Sequence, residues 1–128
     1  MTAEKIDNLE LIEQSARDFA ENHIRPFVME WDESQHFPMN TFHQMGEYGF
    51  LGLLVPENYG GAGLGYQEYI SVLSEIGKVC GSIALSVAAH NSLCTNHILS
   101  FGNEEQNQKY LPKLDTGQWI GAWCFTEP

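Results

Sequence analysis

Apolar residues recur at steps of three and four along the N-terminal stretch, which places them on one face of a helix. Charged residues from Glu10 to Glu21 fill the opposite face. Arg25 precedes Pro26, and because a residue before proline is disfavoured in the helical region, we expect a kink or break there. The apolar face consists of Ile6, Leu9, Ile12, Ala16, Phe19, Ala20 and Ile24.

Two shorter helices and a loop are predicted next. The first helix continues to about Gln35, and the second begins at an N-cap of Asn40 or Thr41 and ends near Gly49. The stretch LGLLVPENYGGAGLG, residues 51–65, then breaks the pattern with Pro56 and a run of glycines, which is typical of a turn-rich loop.

The helical period returns in the second half of the chain. Tyr66 to Cys80 predicts one helix, and Ser82 to Phe101 predicts another that is apolar on nearly all sides, as expected for the buried centre of the domain. After Gly102, Asn103 and Gln106 have the spacing of a capping box, which predicts the start of a last helix that runs to about Leu114.

Residues 118–125, QWIGAWCF, are the one stretch typical of a β-strand. Its backbone donors and acceptors need partners, and the rest of the sequence offers none. The sequence therefore predicts an all-α bundle of five to six helices with one C-terminal β-strand whose partners are missing from this chain.

Length and charge narrow the classes of partner. The chain has 128 residues, which suits one domain, and its formal net charge is −11. This charge argues against nucleic acid and against an anionic membrane surface, because both attract clustered cations. The start MTAEKIDNLELIEQ lacks the pattern of a signal peptide. We therefore predict a cytoplasmic protein in which Cys80, Cys94 and Cys124 remain reduced.

Two motifs suggest chemistry, and each also has a structural interpretation. The glycines at 61, 63 and 65 do not match a phosphate-binding fingerprint, so a structural turn is favoured over phosphate binding. His90 and His97 lie seven residues apart, whereas helical metal ligands usually lie three or four apart. We therefore predict no metal site and favour a buried or half-buried histidine with a hydrogen-bond partner.

Four stretches resemble the N-terminal part of the acyl-CoA dehydrogenase family. The first and third are similar to the family's V-P-E-x-Y-G-G-x-G turn and F-G-x-E-E-Q helix, and the last opens a signature that continues from [ST]-E-P into a Gly-Ser-Asp turn. They keep the family's order from about Leu51 to Pro128, while the first fifty residues fit more loosely. These stretches are LLVPENYGGAGLGYQEY, SVAAHNSLCTNHIL, FGNEEQNQKYLPKL and GAWCFTEP.

The resemblance implies an orthogonal helical bundle at residues 1–118 and, at 119–128, the first strand of a missing β-domain. It also implies an enzyme that oxidises acyl-CoA thioesters to trans-2-enoyl-CoA with FAD. A carboxylate removes the α-proton while hydride passes to the flavin, and the family's catalytic Glu lies downstream of the region that this chain matches. We therefore expect the chain to be a truncated piece without the catalytic base, inactive alone and unable to hold FAD tightly. The whole enzyme is expected to pass electrons to an electron-transfer flavoprotein and to form a homotetramer.

The resemblance also implies two sets of site residues. The stretch that contacts the flavin corresponds to Trp123, Cys124, Phe125 and Thr126, with the Phe125 backbone and the Thr126 hydroxyl and backbone hydrogen-bonded to the ring's polar edge. The central helix is similar to the helix that lines the acyl pocket. Its small residues favour a short or branched acyl chain, and its predicted lining is Ser86, Ala89, His90 and Leu93.

Two other interpretations remain open. An acyl-CoA oxidase or a non-catalytic relative would use the same N-terminal domain. In a different class, the chain would be a stand-alone helical interaction module.

Overall fold

The computed structural model describes residues 3–127, with side chains from Asn8 onward. The regular structure of these residues is helical, with five longer helical segments and one short 3₁₀ turn, Glu57–Tyr59, which confirms the all-α class and the predicted five to six helices. Two of the five segments each contain two α-helices joined by turns of π or 3₁₀ type. The α-helices are α1 (Ala3–Phe19), α2 (Val28–Ser34), α3 (Met39–Glu47), α4 (Tyr66–Val79), α5 (Gly81–Ala88), α6 (Asn96–Phe101) and α7 (Glu104–Asp115). Among the described residues, no helix is both long and apolar enough to cross a membrane.

The irregularity predicted at Pro26 is confirmed. A π-helical turn, Ala20–Ile24, and a 3₁₀ turn, Arg25–Phe27, join α1 to α2 without interrupting the helical path. Proline lacks the amide hydrogen that an α-helix needs, so the backbone changes its hydrogen-bond step there. Gln35 ends α2 in the left-handed conformation, with φ of 55°.

One hydrophobic core joins α1, α3, α4 and α5. Its largest fully buried side chains include Phe19, Phe42 and Ile76. Burial of such side chains contributes about 1.5–3 kcal/mol each to folding. At the edge of this core, the guanidinium of Arg17 donates to the buried carboxylate of Glu75 at 3.1 Å and ties α1 to α4.

The glycine loop, residues 51–65, is held by its own backbone. The amides of Ala62, Gly63 and Leu64 donate to the carbonyls of Gly52, Val55 and Leu53 at 2.8–2.9 Å. The amides of Gly60 and Gly61 donate to carbonyls within the same loop. Since these amides are all engaged, the geometry favours a structural turn over a phosphate cradle.

The helical segment 81–101 consists of α5, a π-helical turn at Ala89–Thr95, and α6. Its predicted burial on nearly all sides is wrong. Ile83 and Val87 are buried on one side, but Leu85 is 71% exposed and Phe101 is 82% exposed on others. A helix that is apolar all round needs covering on every side, and the described helices cover only one.

The helix α7 begins with the predicted capping box. The Asn103 side chain accepts a hydrogen bond from the Gln106 amide, and the Gln106 side chain accepts one from the Asn103 amide, both at 2.9 Å. The helix ends at Asp115, and the turn that follows is fixed by a hydrogen bond from the Trp119 amide to the Lys113 carbonyl.

Candidate functional site

The last described residues lie along the outside of the helical segment 81–101. We call residues 121–127 the tail. No regular secondary structure forms in it, and within residues 3–127 its backbone makes no hydrogen bond to other backbone groups. The predicted strand at 118–125 is therefore not formed, because a strand requires a partner strand to complete its ladder.

The tail begins at a hydrogen bond to a buried histidine. The amide of Gly121 donates to Nδ1 of His90 at 2.9 Å, and the His90 side chain is fully buried. An Nδ1 that accepts a hydrogen bond carries no proton, so the neutral ring is protonated at Nε2. Nε2 has no hydrogen bond of normal geometry, although the backbone of Leu51 and Leu114 lies beside the ring.

The surroundings of His90 keep its ring neutral. Burial disfavours the imidazolium and lowers the His90 pKa to about 4, an effect that the backbone of Leu51 and Leu114 partly opposes. At neutral pH, Nδ1 is therefore free to accept the Gly121 amide. This arrangement confirms the interpretation of a buried histidine with a hydrogen-bond partner.

Gly121 also lies against Cys94, one turn further along the helical segment. A Cβ atom at position 121 would come within 2.5 Å of the Cys94 sulfur, which no real side chain tolerates. Only glycine allows the tail backbone to approach the helix so closely. Burial raises the pKa of the Cys94 thiol, which the nearby Ala122 backbone partly opposes.

A second contact lies at Trp123. Its ring packs against the His97 ring, with centroids 4.3 Å apart, and Nδ1 of His97 is buried there without a hydrogen-bond partner among the described residues. The tail therefore follows the helical segment from His90 through Cys94 to His97. Trp123 still keeps 42% of its surface exposed.

Beyond Trp123 the tail projects away from the domain. Cys124 and Thr126 are exposed, and Phe125 is 81% exposed. The structure therefore brings the four residues predicted to contact a flavin onto one open edge, with one aromatic ring against the helix and the rest facing outward. An exposed aromatic ring, a free hydroxyl and free backbone groups can bind a planar, polar-edged ring.

The structure does not bring the four predicted pocket residues together. Ser86 is half-buried and faces a groove of about 470 Å³ between α2 and α5, while Leu93 is exposed and Ala89 is half-buried. The ring of His90 is fully buried and accepts a hydrogen bond from the Gly121 amide. The assignment of these four residues to an acyl pocket stays a prediction. The prediction that these residues share one face assumed the period of an α-helix. The π-helical turn at Ala89–Thr95 changes that period.

The role of Gly121 and the contact between His97 and Trp123 were both missed from the sequence. Gly121 interrupts an apolar run, and an isolated glycine in a strand-like pattern signals a close backbone approach, so this signal was available. His97 carried no comparable signal, since its contact with Trp123 depends on where the tail folds back.

The sequence matches the model of the family described as acyl-CoA dehydrogenase, N-terminal domain, over residues 7–118. The chain belongs to this family. The match covers the helical body and contains the first three of the four sequence stretches, so the resemblance to the family is confirmed. The fourth stretch, GAWCFTEP, lies beyond the matched residues.

Curated relatives agree with this assignment. The chain is 45% identical over 119 residues to a short-chain-specific acyl-CoA dehydrogenase of Clostridium acetobutylicum, covering 93% of this chain and 31% of the relative. It is 41% identical over 119 residues to the mitochondrial isovaleryl-CoA dehydrogenase of Pongo abelii, covering 91% and 28%. The chain thus spans about a third or less of the length of these relatives.

Solved structures show the same fold. An acyl-CoA dehydrogenase from Bacillus anthracis, complexed with FAD, has a TM-score of 0.89 and 34% identity, covering all of this chain and 23% of that chain. A structure described as an electron transferring flavoprotein of Acidaminococcus fermentans has a TM-score of 0.91 and 38% identity, covering all of this chain and 33% of that one.

Proposed function

We propose that this chain forms the N-terminal helical domain of an FAD-dependent acyl-CoA dehydrogenase, which oxidises acyl-CoA to trans-2-enoyl-CoA. Membership of the family supports the reaction class, and the FAD-complexed relative supports the cofactor. We assign this activity to the whole protein. This chain corresponds to the N-terminal domain of its relatives.

The open tail is the observation that carries the proposal. Gly121 is fixed against His90, whereas Phe125 and Thr126 are exposed and, within residues 3–127, their backbone groups have no hydrogen-bond partner. Buried backbone groups are almost always hydrogen-bonded, so a segment like this requires either solvent or a partner. FAD would supply the hydride acceptor, and the residues that would hold its ring are Trp123, Cys124, Phe125 and Thr126.

In this proposal, the residues of this chain bind the flavin ring and orient it. The Thr126 hydroxyl and the Phe125 and Thr126 backbone would hydrogen-bond the polar edge of the flavin ring, and the Trp123 and Phe125 side chains would shield it from water. Removal of a weakly acidic α-proton needs a well-placed carboxylate, and we assign that base to none of the residues of this chain.

The acyl chain and the partners are also inferred. The short-chain and isovaleryl-CoA specificities of the two relatives support a short or branched acyl substrate. The predicted pocket residues remain candidates for the acyl site: Ser86, Ala89, His90 and Leu93. We further propose that the whole enzyme is a cytoplasmic homotetramer that reduces an electron-transfer flavoprotein, a partner class supported by the structural relative described under that name.

A chimera tests the proposal. This chain would replace the corresponding first third of the Clostridium acetobutylicum relative, and bound FAD and butyryl-CoA oxidation would be measured with a dye acceptor. We expect a flavin-containing, active chimera and a flavin-free, inactive isolated chain. Thr126→Ala should lower FAD content, whereas Thr116→Ala, which alters an exposed threonine before the tail, should not. A folded chimera without flavin would refute the proposal.

A further inference from the structure

His90 lies where four parts of the domain meet. Its own π-helical turn carries it, the backbone of Leu51 and of Leu114 flanks its ring, and Gly121 donates to it from the tail. The ring is fully buried, so solvent cannot replace any of these partners. The thiol of Cys94 also lies beside the tail backbone at Ala122. Within residues 3–127, His90 supplies the one hydrogen bond between a nitrogen or oxygen atom of residues 90–101 and the tail backbone.

We propose that His90 is a positioning residue whose Nδ1, by accepting the Gly121 amide, fixes the path of the tail and therefore the direction in which Cys124, Phe125 and Thr126 face. The relevance of this contact to flavin rests on the proposed function. The contact itself does not, because it lies wholly within the described chain.

The hydrogen bond at Gly121 fixes the tail together with a second contact two residues later. Gly121 is held at His90 and cannot shift inward, since a tail backbone moved toward the helix would meet the Cys94 sulfur. Two residues later, Trp123 packs on His97, which gives the tail a second point along the same helical segment. Two fixed points, at Gly121 and Trp123, set the direction of this short segment, and the direction of residues 124–126 follows from it.

The protonation state of the ring provides the first test. Nitrogen NMR of the ¹⁵N-labelled chain at neutral pH distinguishes a ring protonated at Nε2 from one protonated at Nδ1. We expect the Nε2-protonated form, with the resonance of Nδ1 shifted by an accepted hydrogen bond from Gly121. A proton on Nδ1 would overturn the proposal, because that nitrogen could then no longer accept the amide.

Matched variants provide the second test. In Asn, the side-chain oxygen occupies the position of Nδ1, whereas in Gln the polar atoms reach the position of Nε2. His90→Asn should therefore keep the Gly121 amide protected from hydrogen exchange, while His90→Gln and His90→Leu should speed its exchange on the order of tenfold. His36→Leu, which removes an exposed histidine, is the control and should leave Gly121 unchanged.

The results separate a positioning role from a merely structural one. If Asn and Leu lower the stability equally and expose Gly121 equally, the proposal fails. The same variants in the chimera extend the test: His90→Asn should keep more FAD bound than His90→Leu. Should Gly121 respond as predicted while FAD content does not, the contact stands and the proposed flavin role falls.

Discussion

The glycine loop and the tail both lack regular secondary structure, yet they satisfy their backbone groups differently. In the loop, the amides from Tyr59 to Leu64 donate to carbonyls of the loop itself. In the tail, the Gly121 amide reaches a histidine ring, and within residues 3–127 the later amides reach no backbone carbonyl. The loop therefore completes its own structure, whereas the later amides of the tail, within the described residues, are left open to solvent.

Glycine-rich or apolar segments without regular structure can therefore play two different parts in a domain. A loop that uses its own donors is part of the folded body, so its substitutions should affect global stability. A tail whose donors are free contributes little to stability, so its substitutions should affect binding instead. The predictions below test this separation, starting with the largest expected effect on stability.

Gly61→Ala should strongly destabilise the body. A Cβ at this position would meet the Val55 carbonyl oxygen at 2.1 Å, and a backbone atom cannot move aside without breaking the loop. We expect the free energy of unfolding to fall by about 3 kcal/mol in urea denaturation. Gly81→Ala is the control, because a Cβ there meets nothing within 4 Å. Equal stability of the two variants would contradict the description of the loop as self-supporting.

Asp115 joins the two regions and should make stability depend on pH. Its carboxylate lies against Gly52 of the loop, at the end of the helix that leads to the tail, and both of its oxygens are buried without partners among the described residues. Burial raises the Asp115 pKa to about 7. The folded state therefore keeps a proton that the unfolded state loses, and stability is lost as pH rises from about 4 to about 7.

Asp115→Asn should remove that loss. We expect the variant to be more stable than the parent at pH 7.5, on the order of 2–4 kcal/mol, and similar to it at pH 4. The lowered His90 pKa has the opposite effect on the pH dependence of stability. Between about pH 4 and 6.5 the unfolded ring binds a proton that the folded ring does not, so stability increases as pH rises. The stability of Asp115→Asn should therefore rise from pH 4 to 6.5, as measured by denaturation. Asp32→Asn, at an exposed aspartate, should leave the parent's profile unchanged.

The sequence predicted the helical body far better than the edge formed by the tail. The period of Ile12, Ala16 and Phe19 reports burial directly, and Asn103 with Gln106 reports a helix start, because both signals are local. The role of His90 depends on Gly121, thirty-one residues away in sequence. No local sequence pattern encodes such a contact. The π-helical turn that contains the buried His90 has no sequence signal either.

Gly121→Ala should free the tail without unfolding the body. The new Cβ would meet the Cys94 sulfur at 2.5 Å, so the tail must lift and the hydrogen bond to His90 must break. We expect about 1 kcal/mol of lost local protection in hydrogen exchange of residue 121, and a smaller change in global unfolding. The Trp123 indole resonance should move as its ring leaves His97. A large loss of global stability would show that the tail is part of the folded body, and would contradict the contrast between the tail and the glycine loop.

Phe125→Ala should have the smallest effect on stability and thereby separates the two regions most cleanly. The ring is 81% exposed, so its removal should change the free energy of unfolding by less than about 0.5 kcal/mol. Phe19→Ala, which empties a fully packed position of the core, should cost about 3–5 kcal/mol in the same measurement. In the chimera the order should reverse for FAD, because Phe125→Ala removes an aromatic surface from the proposed cofactor edge. An unchanged FAD content would mean that the exposed ring serves some other contact.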